Sequence, residues 1–189
     1  IIVVAAMAIR TVIRNYDWRN GFALYSHDIK NDPENFVLAN GLGTEFIVRG
    51  NYEKAIEYLE KSASKFADGG NLGNLGNAYF KNGDIERAKE AYQKSMQVYE
   101  MIYSVNNYAL LLISNNEHKE AEQFIQDKLK KYPNEWTLWL YLAIAKYNLN
   151  QPEEAKQSAE KAYVLSGNKQ SANIYRQILL NKPLKIKIE

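Results

Sequence analysis

The chain of 189 residues carries 24 Lys and Arg against 22 Asp and Glu, without a long block of one sign. This balance offers no electrostatic footprint for nucleic acid and no basic patch for a membrane surface, so we expect neither as a direct partner. The sequence contains no cysteine, which excludes disulfides and thiolate metal sites.

The first segment, residues 1–15, opens on nine apolar residues and then reaches Arg10 and Arg14. Nine residues are too few to cross a bilayer, which takes about 20. A secretory signal would place basic residues before the apolar run and not after it. Two interpretations stay open: the end of a truncated membrane span, or helix A of a degenerate repeat. Residues 16–34, which close on Asp32-Pro33, are predicted to form helix B of that repeat.

Four full repeats follow as residues 36–68, 69–101, 102–135 and 136–168. Their register is visible in Ala55, Ala88, Ala121 and Ala155, which stand 33, 33 and 34 residues apart, the length of one helix–turn–helix unit. We therefore predict two helices, A and B, in each repeat. The turns between them fall where Gly or Asn takes a positive φ at least cost, at Gly50, Gly83, Asn116 and Asn150.

Small residues recur where helix A must pass close to helix B, and large ones where the two interlock. The first repeat has Leu42-Gly43, Phe46, Ala55 and Leu59, and the second has Leu75-Gly76, Tyr79, Ala88 and Tyr92 at the same offsets. This pattern resembles the tetratricopeptide family over roughly residues 36–168. The resemblance implies an all-α, right-handed superhelix (an α-solenoid) of antiparallel helix pairs. Lys146 departs from the pattern, because an aromatic residue is expected there.

Residues 169–181 are predicted to form a capping helix, which a repeat stack needs over its last apolar face. The tail, residues 182–189, alternates apolar and charged side chains with the period of a strand. We expect it to be mobile or to pair with something outside this fold.

The segment before the repeats has a second resemblance. Thr11, Arg14-Asn15 and Trp18, then Leu24-Tyr25 and Pro33, are similar to the junction after the last membrane span in transmembrane-and-tetratricopeptide proteins. These proteins are related to lipid-sugar-dependent protein O-mannosyltransferases. The resemblance implies a membrane-anchored parent whose multi-span part carries sugar transfer and whose repeats lie outside the cytoplasm. A cytoplasmic protein without membrane attachment is the alternative.

Little in the chain points to chemistry. The two histidines, His27 and His118, have no partner at metal-ligand spacing, and His118 is expected to be an exposed turn residue. Neither a nucleophile elbow nor a phosphate-binding glycine loop is present. We therefore expect no metal, no cofactor and no catalytic residues in this chain.

Repeats of this kind bind partners on a concave face. By resemblance to the tetratricopeptide family, the helix A positions that face the groove are Asn40, Thr44, Asn74, Asn77, Phe80, Tyr103, Asn106, Asn107, Tyr141 and Tyr147. An Asn carboxamide both donates and accepts, so a row of them can pair a peptide backbone without selecting its side chains. The absence of inward Lys and Arg disfavours capture of a terminal carboxylate.

Two hypotheses for function follow. In the first, the chain is a non-catalytic domain that binds an extended peptide or protein and belongs to a glycosyltransferase-like membrane protein. In the second, it is a stand-alone scaffold. Sequence does not set the oligomeric state.

Overall fold

The computed structural model describes residues 20–184, and all regular secondary structure in that range is α-helical. The all-α prediction is therefore confirmed. The helices are α1 (Gly21–Asn31), α2 (Phe36–Val48), α3 (Tyr52–Lys65), α4 (Gly69–Lys81), α5 (Ile85–Val98), α6 (Ile102–Ser114), α7 (His118–Lys131), α8 (Trp136–Asn148), α9 (Pro152–Ser166) and α10 (Lys169–Leu179). The predictions for residues 1–15, for residues 16–19 and for the end of the tail, residues 185–189, lie outside the described part.

The chain divides into two compact units, of which the first ends at Met101 and the second begins at Ile102. In the first unit α2 pairs with α3 and α4 with α5, while α1 packs on α2 and α3 on α4. In the second unit α6 pairs with α7 and α8 with α9, while α7 packs on α8 and α10 on α9. Helices α2, α4, α6 and α8 are the predicted A helices, and α3, α5, α7 and α9 are the B helices.

The turns from A to B helices have the predicted backbone. In these four turns the residues with positive φ are Gly50 at 71°, Gly83 at 84°, Asn116 at 60° and Asn150 at 58°. In the first unit the next turn of helix is capped by a side chain: Asn51 accepts from the backbone N–H of Lys54, and Asp84 accepts from that of Arg87. Each cap satisfies a backbone donor that the helix leaves open at its start.

Helices A and B approach closely where glycine was predicted to allow it. A Cβ on Gly43 would lie 2.5 Å from the side chain of Leu59, and one on Gly76 would lie 2.7 Å from the ring of Tyr92. The repeating alanines, Ala55, Ala88, Ala121 and Ala155, are fully buried between the same helices. Close packing at these sites fixes which face of each A helix remains open.

No helix within residues 20–184 is both long and apolar enough to span a membrane.

Candidate functional site

The A helices lie side by side within each unit, because α2 packs on α4 and α6 packs on α8. We call the faces that carry the predicted binding residues the A-helix surfaces. The first unit contributes Asn40 and Thr44 from α2, with Asn74, Asn77 and Phe80 from α4. The second contributes Tyr103, Asn106 and Asn107 from α6, with Tyr141 and Tyr147 from α8.

In the first unit, two predicted asparagines are brought together. The side-chain N–H of Asn74 donates to Oδ1 of Asn40 at 3.1 Å, and both residues are half-buried. Among residues 20–184, the second side-chain N–H and the Oδ1 of Asn74 and both side-chain N–H groups of Asn40 have no other partner. A polypeptide backbone offers the complementary groups.

The neighbouring positions on these two helices differ in how they are satisfied. Thr44 donates its hydroxyl to the carbonyl of Gly41 at 2.7 Å, within its own helix. Asn77 lies one turn from Asn74, on the same side of α4. Its side-chain carboxamide has no hydrogen-bond partner among residues 20–184. Phe80 continues the strip by a further turn and is half-buried. Three amides and an aromatic ring thus lie along adjacent helices.

In the second unit, Asn106 donates from Nδ2 to Oε1 of Glu135 at 3.3 Å. Its Oδ1 is buried and has no hydrogen-bond partner among the described residues. A buried acceptor without a donor is uncommon in folded proteins. Glu135 escaped the sequence prediction because it precedes α8 and so occupies no helix A position. Beside Asn106, the side-chain carboxamide of Asn107 has no hydrogen-bond partner within residues 20–184.

The three predicted tyrosines of the second unit have different surroundings. Tyr103 is 41 % exposed. Burial raises the pKa of Tyr141 to about 12, so that its hydroxyl stays neutral. The hydroxyl of Tyr147 lies 3.1 Å from both Oδ1 of Asn181 and the carbonyl oxygen of Lys182. Tyr147 therefore contacts the segment after α10, and its hydroxyl is already engaged there and not open to a ligand.

The A helices carry almost no charge. Their only ionisable acidic or basic side chains are Glu45, Lys81 and Lys146, and α6 has none. Glu45 pairs with Arg49, and Lys146 lies 3.4 Å from Glu122. The two A-helix surfaces are therefore suited to neutral, hydrogen-bonding ligands and not to a terminal carboxylate.

His118 differs from its expected exposure. It is the first residue of α7 and half-buried, with Nδ1 buried and without a hydrogen-bond partner among the described residues. Burial lowers the pKa of His118, because the charged imidazolium loses hydration. Within residues 20–184 no group of three or more His, Cys, Asp or Glu side chains is placed to hold a metal ion.

Comparison with known proteins supports the tetratricopeptide assignment. Residues 71–100, which contain most of α4 and all of α5, match the sequence model of the tetratricopeptide repeat. No curated protein sequence matches the chain.

Several solved structures share the fold. A crystal structure of MamA has a TM-score of 0.71 at 21 % identity, over 81 % of this chain and 91 % of that one. YrrB, described as a TPR protein with an unusual peptide-binding site, has a TM-score of 0.70 at 15 % identity, over 89 % of this chain and 88 % of YrrB. PilF of Pseudomonas aeruginosa has a TM-score of 0.69 at 22 % identity, over 77 % of this chain and 68 % of PilF. The predicted tetratricopeptide-type solenoid fold is thereby confirmed.

Proposed function

We propose that this chain is a non-catalytic interaction module that binds an extended peptide or protein segment on its A-helix surfaces. The observation that carries the proposal is the hydrogen-bonded pair of Asn40 and Asn74. Its remaining donors and acceptor, like the side-chain carboxamide of neighbouring Asn77, have no partner within residues 20–184. The peptide-binding site described for YrrB, a protein of the same fold, supports a ligand of this class.

The chemistry of the two surfaces favours backbone recognition. Each peptide unit of an extended ligand presents one N–H and one C=O, and a carboxamide pairs with either. The scarcity of charge leaves little basis for selecting acidic or basic ligand side chains. Phe80 and Tyr103 offer ring surface for apolar side chains at low cost in conformational entropy. We therefore expect the chain to bind peptides of many sequences, provided that their backbone N–H and C=O groups are free to form hydrogen bonds.

The proposal is tested by binding of a library of neutral, end-capped peptides to the whole chain. The wild type is compared with the double variant Asn74→Ala/Asn107→Ala, which removes one amide from each unit. Asn173→Ala, at an exposed site on α10, is the matched control. We expect the double variant to lose most of the binding and the control to keep it. Binding that is absent in the wild type, or unchanged in the double variant, would refute the proposal.

A finer hypothesis concerns the protein to which this region belongs. We propose, as a second candidate, that it is the extracytoplasmic part of a glycosyltransferase-like membrane protein. The support is the junction-like segment of residues 11–35 alone, whereas the comparisons support the tetratricopeptide scaffold without such a parent. Carbonate extraction of membranes from the native organism discriminates the two. Release of the natural gene product into the supernatant would favour the stand-alone, cytoplasmic scaffold.

A further inference from the structure

An aromatic side chain fills the space between two B helices in the first unit. The ring of Tyr79, on α4, is 7 % exposed and lies between α3 and α5. Its hydroxyl donates to Oε1 of Glu60 on α3, and the guanidinium of Arg87 on α5 lies 4.5 Å from the ring centroid. The first unit thus closes this space with a phenol, a hydrogen-bond acceptor and a cation.

The second unit replaces all three members of this group. The alanine register runs from Ala55 to Ala121 and from Ala88 to Ala155. On that register the counterpart of Glu60 is Gln126, that of Tyr79 is Lys146, and that of Arg87 is Glu154. The ring, the carboxylate and the cation are all lost together.

The replacement leaves a cleft of about 470 Å³ between α7, α8 and α9. The three counterpart residues, Gln126, Lys146 and Glu154, all line it. Lys146 does not fill the space, because its ammonium group lies 3.4 Å from the carboxylate of Glu122. A volume of this size lies within the range of about 300–1,000 Å³ that small-ligand sites occupy.

Part of the wall of the cleft is apolar. Leu129, Trp139 and Leu142 line it, and Leu142 is 3 % exposed. The indole N–H of Trp139 donates to the carbonyl of Pro133 at 2.8 Å, which fixes the orientation of the ring. The geometry points to a site for a tyrosine side chain of a partner polypeptide, in the position that Tyr79 occupies in the first unit.

The charge of Glu154 indicates which residue lies next to the tyrosine in the partner segment. In the first unit the cation over the ring belongs to the protein, as Arg87, whereas the second unit has Glu154, which has no ion-pair partner among residues 20–184. A basic residue beside the ligand tyrosine would meet this carboxylate. Lys161 also lines the cleft but stands two helical turns from Glu154, about 10 Å along α9. The predicted partner segment therefore carries tyrosine next to arginine, and binds independently of the A-helix surfaces.

The test follows the side-chain N–H signal of Trp139 in the ¹⁵N-labelled whole chain, assigned with Trp139→Phe. The probes are the capped dipeptides N-acetyl-Arg-Tyr-amide, N-acetyl-Glu-Tyr-amide and N-acetyl-Arg-Ala-amide. We expect a saturable shift with Arg-Tyr, up to about fivefold weaker binding of Glu-Tyr, as one exposed ion pair allows, and no saturation with Arg-Ala. No saturation with Arg-Tyr, or equal affinity for Arg-Ala, would overturn the inference.

Two variants separate the site from general effects on folding. Gln126→Glu/Lys146→Tyr/Glu154→Arg rebuilds the group of the first unit, and Glu122→Ile is added because the counterpart of Glu122 there is Ile56. We expect this variant to keep its helical circular dichroism and to lose the shift. Glu154→Gln changes one exposed side chain and is expected to abolish the preference for Arg-Tyr over Glu-Tyr. Retention of that preference would assign the basic residue elsewhere and overturn the proposed recognition by Glu154.

Discussion

The side chain of Asn74 donates a hydrogen bond to Oδ1 of Asn40 at 3.1 Å, although the two residues are 34 positions apart. The bond joins two A helices of the first unit and orients both amides on one surface. It therefore has a structural effect as well as the proposed role in binding, and the two effects are separable by experiment.

A double-mutant cycle measures the structural part. We expect Asn40→Ala and Asn74→Ala to be coupled by about 0.5–1.5 kcal/mol in the free energy of unfolding, the range of a neutral intramolecular hydrogen bond. Urea denaturation of the wild type, both single variants and the double variant gives this coupling energy. A parallel cycle of Asn40→Ala with Asn173→Ala should be additive, because Asn173 is exposed on α10. Additivity in the first cycle would contradict the observed pair.

Gly76→Ala should destabilise the first unit by about 1–3 kcal/mol, the usual cost of overpacking a close contact. The added Cβ would lie 2.7 Å from Cδ1 of Tyr92, which is fully buried. Gly70→Ala, on the same helix, is the control, because its Cβ would meet only the ends of the Asp68 and Met101 side chains. We expect Gly70→Ala to leave the midpoint of thermal unfolding unchanged or higher. Equal effects of the two changes would show that helix propensity and not the close approach decides the result.

The stability of the protein should depend on pH through His118. Burial lowers the pKa of this residue in the folded chain below its ordinary value of 6.5. Its contribution to stability is therefore fully present above about pH 6.5 and is lost as the pH falls through the lowered folded pKa. His118→Gln should reduce the loss of unfolding free energy between neutral and mildly acidic pH, because it removes the imidazole whose pKa is lowered by burial. Titration of the imidazole signals by NMR is the direct check, and a His118 pKa at or above 6.5 would contradict the prediction.

Alkaline titration should reveal two tyrosines that ionise late. Burial, together with the hydrogen bond to Glu60, raises the pKa of Tyr79 to about 12, and burial alone raises that of Tyr141 to about 12. Because these folded values exceed the ordinary value of 10, the stability that the two groups contribute is present below pH 10 and is lost as the pH rises towards 12.

The measurement is absorbance at 295 nm, the phenolate band, within seconds of a jump in pH. Tyr79→Phe and Tyr141→Phe should each remove the absorbance change of one tyrosine from the high-pH part of the titration, the late part near pH 12. Tyr79→Phe should also cost about 1 kcal/mol of stability through the lost hydrogen bond to Glu60. If the late part keeps its full amplitude in both variants, the assignment of the two buried phenols is wrong.

Much of the fold follows from local rules that sequence carries directly. Gly50 and Asn116 mark turns because a positive φ is costly for other residues, and Gly76 marks a close crossing because only a missing Cβ fits there. Both kinds of constraint act within one repeat. The 33- and 34-residue register repeats them along the chain, so the predicted helix pairs were confirmed.

The candidate sites depended on more than the register. Sequence placed Asn40 and Asn74 on A helices, but the contact between them arises only when α2 packs on α4. Tyr147 has the same kind of helix A position, yet it bonds to the segment around Lys182, and His118 is half-buried although it follows a turn. Whether a polar side chain is open to a ligand depends on its neighbours from other helices, which one sequence does not specify.

The sequence by itself determined the helical repeat, its turns and the near absence of charge on the A helices, because these depend on residue type and spacing along one chain. Only the tertiary structure decided which amides pair, which tyrosine is engaged and where a cleft opens. The exchange of Tyr79 for Lys146 illustrates the difference. It is visible in the sequence as a departure from the pattern, but whether the lysine fills the space depends on Glu122 from the neighbouring helix, which draws its ammonium group away. Packing between helices is a property of several segments at once, and that is why it had to be seen in three dimensions.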